Sequence, residues 1–198
     1  NAWRNVVSTP PGRARLRRIW EQVDSVRGMK FSVEDYTGMA TTLAILGEED
    51  AEEILERQFE RIDNPDRKAR FLFVRPALSA DPAVREAFFE GLSDPENRAR
   101  EPWVLAALGY LHHPTRTSHS QRFVIPSLEM VEEIQRTGDI FFPQRWLGST
   151  LGSHNDPALA ADVKEWLDAL PDDYPHRLRG KILQSADGLD RAARIGNP

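Results

Sequence analysis

The 198-residue chain contains no cysteine. Disulfide frameworks, thiol nucleophiles and cysteine-held zinc are therefore excluded. Long apolar runs are missing as well: none approaches the roughly 18–20 residues needed to cross a bilayer. The chain is expected to be soluble and to have no membrane span. Positive charge is in deficit, with 26 Lys and Arg against 31 Asp and Glu and a net charge of −5. That balance argues against nucleic acid as a partner, since its binders usually carry a basic excess. The opening residues, "NAWRNVVSTPPGRARLRR", lack the apolar core of a secretory signal. Because Asn1-Ala2 stands where a Met would, residues 1–12 are read as a tag remnant and linker on an excised piece. Its compartment, cytoplasmic or exported, stays open. Strand patterning is also scarce: no stretch alternates apolar and polar residues, and "FLFV" at 71–74 comes nearest.

What is present is ordinary for a globular protein, 40% hydrophobic and 29% charged. The length suffices for a sizeable core. One dipeptide organises the chain. Apart from the final Asn197-Pro198, Asp or Asn followed by Pro occurs at Asn64-Pro65, Asp81-Pro82, Asp94-Pro95 and Asp156-Pro157. An Asp or Asn caps the free N–H groups of a helix start, and Pro fits the first helical position because its missing N–H would go unpaired there. Each pair therefore predicts a helix start, and "DPAVREAFFEGLS" reads as one short helix between two caps.

Apolar spacing supports this reading. Ala51, Ile54, Leu55, Phe59 and Ile62 form one stripe, and Leu159, Val163, Trp166, Leu167 and Leu170 another. Val104, Ala107, Leu108 and Leu111 make a third, and steps of three and four residues mark one face of a helix. Further helices are expected at about 13–24, 32–46, 66–78, 122–136, 141–151 and 176–189. About ten short helices with tight connections pack as antiparallel neighbours. The fold class is therefore all-α, with a HEAT/armadillo-like α-α superhelix over 13–198 as a single domain and no fixed sequence repeat.

Few constellations suggest chemistry. His112, His113 and His119 cluster in "LHHPTRTSH", yet no histidine is followed by the Glu of an H-E-x-x-H zinc site. His112 and His113 also point about 100° apart on a helix. A helix C-terminus beside Pro114 explains them better. "GSTLG" at 148–152 imitates a nucleophile elbow with Thr150 in the nucleophile's place and a helix, not a strand, before it. "RLRGK" at 177–181 lacks the upstream glycine of a phosphate loop. The acidic pairs Glu132-Glu133 and Asp172-Asp173 and the "EEDAEE" run at 48–53 read as solvated, while the Arg13, Arg15, Arg17, Arg18 run reads as a solvated helix face or a contact with a missing neighbouring domain. The most unusual segment is "TGDIFFPQRWLGSTLGSHNDP", 137–157. It reads either as an aromatic-rich core helix with a proline in its first turn or as a surface, with Arg145 and Trp146 the candidate residues facing a substrate or partner and Arg145 suited to a carboxylate.

Three blocks, "REPWVLAALGYLHHPTR", "PSLEMVEEIQRTGDIFFPQRWLGSTLGSHN" and "YPHRLRGKILQSAD", resemble the C-terminal helical region of bacterial zinc aminopeptidases of the membrane alanyl aminopeptidase (gluzincin) family. The resemblance covers about Asn64 to Asp190. It implies a non-catalytic domain that packs on a catalytic domain of the same polypeptide and bounds the chamber for peptide substrates. Zinc would sit in that missing domain, since neither H-E-x-x-H nor G-x-M-E-N occurs in this sequence. No catalytic residue, metal ligand or cofactor is therefore assigned here. The alternative is a free-standing α-solenoid adaptor that binds a protein or peptide. An upstream coding sequence carrying H-E-x-x-H would separate the two.

Overall fold

The computed structural model describes residues 8–195, and every regular element among them is helical. The expected tag remnant at Asn1-Ala2 lies outside the described residues. Packing divides the chain between Arg85 and Glu86 into two compact units. The division falls inside a helix, so no Gly- or Pro-rich linker marks it in the sequence.

In the first unit, α1 (Pro10–Trp20) starts three residues earlier than its apolar stripe suggests. Thr9 is its cap, accepting from the Gly12 N–H at 3.3 Å, and Pro10-Pro11 form the first turn rather than a linker. Helix α2 (Val33–Ile45) opens with a reciprocal capping box. The Asp35 N–H donates to Ser32 Oγ, and the Ser32 N–H donates to the Asp35 carboxylate. Helices α3 (Ala51–Glu60) and α4 (Pro65–Leu78) follow, the latter capped by Asn64. Each packs on the next, and α2 also meets α4. Leu16, Ile19, Trp20, Met39, Ala40, Leu43 and Ile54 form the core. Trp20 brings a polar N–H into that core, and Gln58 satisfies it at 2.8 Å, donating in turn to the Thr37 hydroxyl at 3.0 Å.

Helix α5 (Pro82–Gly91) is followed by a 3-10 turn, Pro95–Arg98. Asp81 and Asp94 each accept an N–H two residues on, at 2.9 Å. Asp94-Pro95, expected to begin a full helix, begins only this turn; α6 (Glu101–Leu111) starts afresh at Glu101 with Pro102 in its first turn. The expected single helix over 122–136 is also broken. A short α7 (Thr117–Ser120) and a 3-10 turn (Gln121–Phe123) lead into α8 (Val124–Glu129) and α9 (Val131–Thr137). Pro126 accounts for the front break, since its ring excludes the helical carbonyl four residues back. Then come α10 (Phe142–Leu151), α11 (Pro157–Asp168) and α12 (His176–Ile195), the last running beyond its expected end at 189. In this unit α10 is central, packing on α6, α8, α9 and α12. No described helix is long and apolar enough to cross a membrane.

At Asp81-Pro82 and Asp94-Pro95, though not at Asn64-Pro65 or Asp156-Pro157, the pattern has a second half that becomes visible only in three dimensions. An arginine four residues after the cap reaches back to carbonyls at the end of another helix. Arg85 donates to the Ser79 and Ala80 carbonyls at 2.6 and 2.9 Å, and Arg98 donates to those of Leu92 and Ser93. Arg13, four after Thr9, donates to Leu46 O, and Arg179, four after Pro175, donates to Leu167 O, both at 3.2 Å. The last carbonyls of a helix have no intrahelical partner. A guanidinium presents several donors in a fixed fork and can satisfy two at once.

Candidate functional site

Helix α9 ends at Gly138, whose N–H bonds back to Ile134 O at 2.9 Å. Only glycine fits here: a Cβ would come within 2.7 Å of the Phe142 ring and 3.0 Å of the Ile134 carbonyl oxygen. The turn that follows is fixed at several points. The Asp139 N–H donates to Glu101 Oε1 at 2.7 Å, and Asp139 Oδ1 accepts from the Phe141 N–H at 2.9 Å. The Phe142 N–H closes the turn on Asp139 O, also at 2.9 Å.

This geometry splits the aromatic segment in two. Phe142 and Trp146 point inward, their rings edge-on at 5.9 Å. Ile140 and Phe141 point outward, 69% and 62% exposed. Arg145, one helical turn beyond Phe141, lays its guanidinium 5.9 Å from the Phe141 ring centre, within reach of a cation–π contact. Among the described residues, Arg145 forms no ion pair. An apolar apex edged by one uncommitted cation therefore stands at the start of α10.

Of the two residues expected to face a partner, Arg145 is at the surface and Trp146 is not. Trp146 is completely buried, and its indole N–H donates to Ser127 O at 3.1 Å. Neighbouring helical residues point about 100° apart, so exposure of one turns the other inward. Phe142, Trp146, Leu147, Thr150 and Leu151 form that inner stripe. Phe141, not Trp146, completes the surface with Arg145.

The three clustered histidines separate. His112 ends α6 fully buried, with its Nδ1 2.9 Å from Nε2 of His154, and the Phe123 ring stands edge-on to it. His113 caps the next 3-10 turn, accepting from the Thr115 N–H. His119 packs edge-on against Phe123. Among the described residues no group of three or more His, Asp or Glu could hold a metal. The His112–His154 pair spans 42 positions. Nothing in the spacing of the sequence signals it.

A hydrogen bond between two imidazoles needs one ring to donate and the other to accept, so the pair is suited to two neutral rings. Burial, then the nearness of His154, pushes His112 down to about 3. Burial lowers His154 too, against an opposing pull from Asp156. The unfolded chain binds protons on these rings near the ordinary 6.5 while the folded chain resists them. Stability is thus complete above that range and is lost as pH falls from about 6.5 toward 3. Between pH 7 and pH 5, His112 alone is expected to remove about 2 kcal/mol of unfolding free energy. Urea titrations at the two pH values measure it, and His112→Gln should flatten the dependence. Equal stability of the parent protein at both would contradict the assignment.

The remaining motif-like stretches are structural. Thr150 is buried within α10, and Lys181 donates to Gln135 Oε1 at 2.7 Å from α12. Two of the four arginines in the run are neutralised by carboxylates. Arg17 pairs with Glu21, Glu48 and Asp50, holding the Asp50 carboxyl below its ordinary range, and Arg18 pairs with Asp24. Glu133 pairs with Arg98.

The chain matches no family model, no curated protein and no solved structure.

Proposed function

We propose that the chain is a non-catalytic helical module that binds a protein partner through the Ile140–Phe141–Arg145 apex. The observation that carries this reading is the adjacent exposure of Ile140 and Phe141 on a turn held by Asp139 and Glu101. Burying each such side chain is worth roughly 1.5–3 kcal/mol. A rigid turn presents them without an ordering cost at the moment of binding. Arg145 adds a donor for a partner carboxylate at the rim. The reading includes the α-solenoid form, for which the successive packing of α1 to α4 is the support.

A finer proposal rests on the sequence resemblance alone. The partner would be the zinc-bearing catalytic domain of an aminopeptidase, and the helices would bound its peptide chamber. One experiment addresses both levels. A photoreactive benzoylphenylalanine is placed at position 141, with exposed Gln184 on α12 as the control position. In the producing cell, irradiation is expected to give a discrete adduct from position 141 that Ile140→Ser abolishes. Adduct peptides from an H-E-x-x-H domain, in the same chain or another, would support the finer reading. Equal labelling from positions 141 and 184, or none from 141, would defeat the proposed apex.

A further inference from the structure

Helices α6 and α10 pack together and are pinned to each other at both ends. At the front, Glu101 of α6 accepts the Asp139 N–H just before α10, at 2.7 Å. At the back, His112 follows α6 and His154 follows α10, and their rings meet at 2.9 Å. The front pin lies at an exposed turn, whereas both rings of the back pin are buried.

The back pin accepts only one arrangement of protons. Two neutral rings carry two protons on four nitrogens. One proton lies in the bond between His112 Nδ1 and His154 Nε2. The other must occupy His112 Nε2 or His154 Nδ1. His112 Nε2 is buried and has no hydrogen-bond partner in the protein. A buried N–H without an acceptor is costly, so that proton sits on His154 Nδ1 and His112 donates from its Nδ1. A third proton then has only His112 Nε2 left to take. Acid forces an unaccepted N–H onto that atom, whichever ring carries the charge.

The surrounding groups give that atom no relief. His112 is faced by His154, whose nearness opposes a charge, and by the edge of Phe123. Asp156 favours a charge on His154, and it already accepts the Ala158 and Leu159 N–H groups as the cap of α11. His119 of α7 packs on Phe123, and Arg116 acts on His113.

We propose that the His112–His154 pair is an acid-released latch: a fall in pH favours a form in which the rings part and residues 152–156 open, while the Glu101–Asp139 pin stays closed. Parted rings reach solvent and take protons in the ordinary histidine range. Histidine is the side chain whose ordinary titration falls between pH 5 and 8, so an amide or hydroxyl pair would give the hydrogen bond without the release. The latch is independent of the Ile140–Phe141 reading.

Hydrogen exchange on the whole chain tests this, with protection expressed against the intrinsic rate at each pH. Between pH 7 and pH 5, peptides spanning 150–160 should lose about 25-fold in protection, the factor for one ring held at about 3 against the ordinary 6.5. Peptides from 135–147 and from α1 to α4 should keep theirs. His112→Gln with His154→Gln should make protection of 150–160 nearly independent of pH, even where its absolute level falls. Asp156→Asn keeps a capping side chain and should leave most of the response in place. Nitrogen-15 spectra of the imidazoles at pH 7 should show His112 protonated at Nδ1. The proposal is overturned if 150–160 is equally protected at both pH values, or if the loss spreads evenly over the second unit. It also falls if the double variant responds as the parent does, if Asp156→Asn abolishes the response, or if His112 carries its proton on Nε2.

Discussion

Trp146→Ala should cost the second unit about 3–5 kcal/mol, the range for deleting a fully buried large aromatic side chain. Three contributions act together. The indole is wholly removed from solvent on the most connected helix of its unit. Its ring packs edge-on with Phe142. Its N–H is a hydrogen-bond donor for the Ser127 carbonyl, which would be left with one fewer partner in a buried setting. Trp146→Phe separates these effects, since it keeps most of the apolar volume and loses only the N–H. That variant should lose about 1–2 kcal/mol. Hydrogen exchange read on peptides from α8 and α10 is the suitable measurement, because two compact units need not unfold in one step. The same experiment tests where Trp146 lies: a partner-facing tryptophan would tolerate alanine with normal protection of α8 and α10.

The second large effect is expected at Arg98. Its side chain is nearly buried, donates to the Leu92 and Ser93 carbonyls and pairs with Glu133 of α9. Arg98→Ala removes all three partners at once and strands carbonyl oxygens and a carboxylate. Breaking a buried ion pair on one side costs about 3–5 kcal/mol. Glu133 is one-third exposed. Water can therefore recover part of its solvation, and the loss should fall near the lower end, about 3 kcal/mol. Arg98→Lys should recover only a fraction, because an ammonium cannot serve the same fork of acceptors. Arg85→Ala makes a useful comparison, since Arg85 likewise donates to two carbonyls, those of Ser79 and Ala80. It should be the milder loss by urea denaturation. Equal stability of Arg98→Ala and the parent protein would mean that water replaces the guanidinium without penalty.

The arginine device shows how much of this fold was readable. Asp81-Pro82 and Asp94-Pro95 announce helix starts because capping and the proline ring act within a few residues. The arginine four positions on was equally plain in the sequence, yet its role was not. Whether it meets a carbonyl depends on the angle at which the previous helix ends. Asp94-Pro95 meets the same limit: Asp94 caps as expected, accepting from the Glu96 N–H, yet only one 3-10 turn follows and α6 begins at Glu101.

The candidate surface divides along a similar line. The core-helix reading of this segment holds for Trp146, which lies on the buried face with Phe142, Leu147 and Leu151. Ile140 and Phe141 could not be placed from sequence, because a turn residue has no periodicity to reveal its direction. Their exposure is fixed by Glu101, which binds the Asp139 N–H from 38 positions away.

By itself, then, the sequence determined an all-helical chain without cysteine, strand patterning or a membrane-crossing segment, and it placed most helix starts within a few residues. Those properties depend on capping, proline and amphipathic spacing, which act over one or two turns. Only the tertiary structure decided the pairing of His112 with His154, the arginine-to-carbonyl caps, the division at Arg85 and the outward turn of Phe141. Each of these depends on how distant segments meet. That is set by packing of the whole chain, which no short stretch encodes.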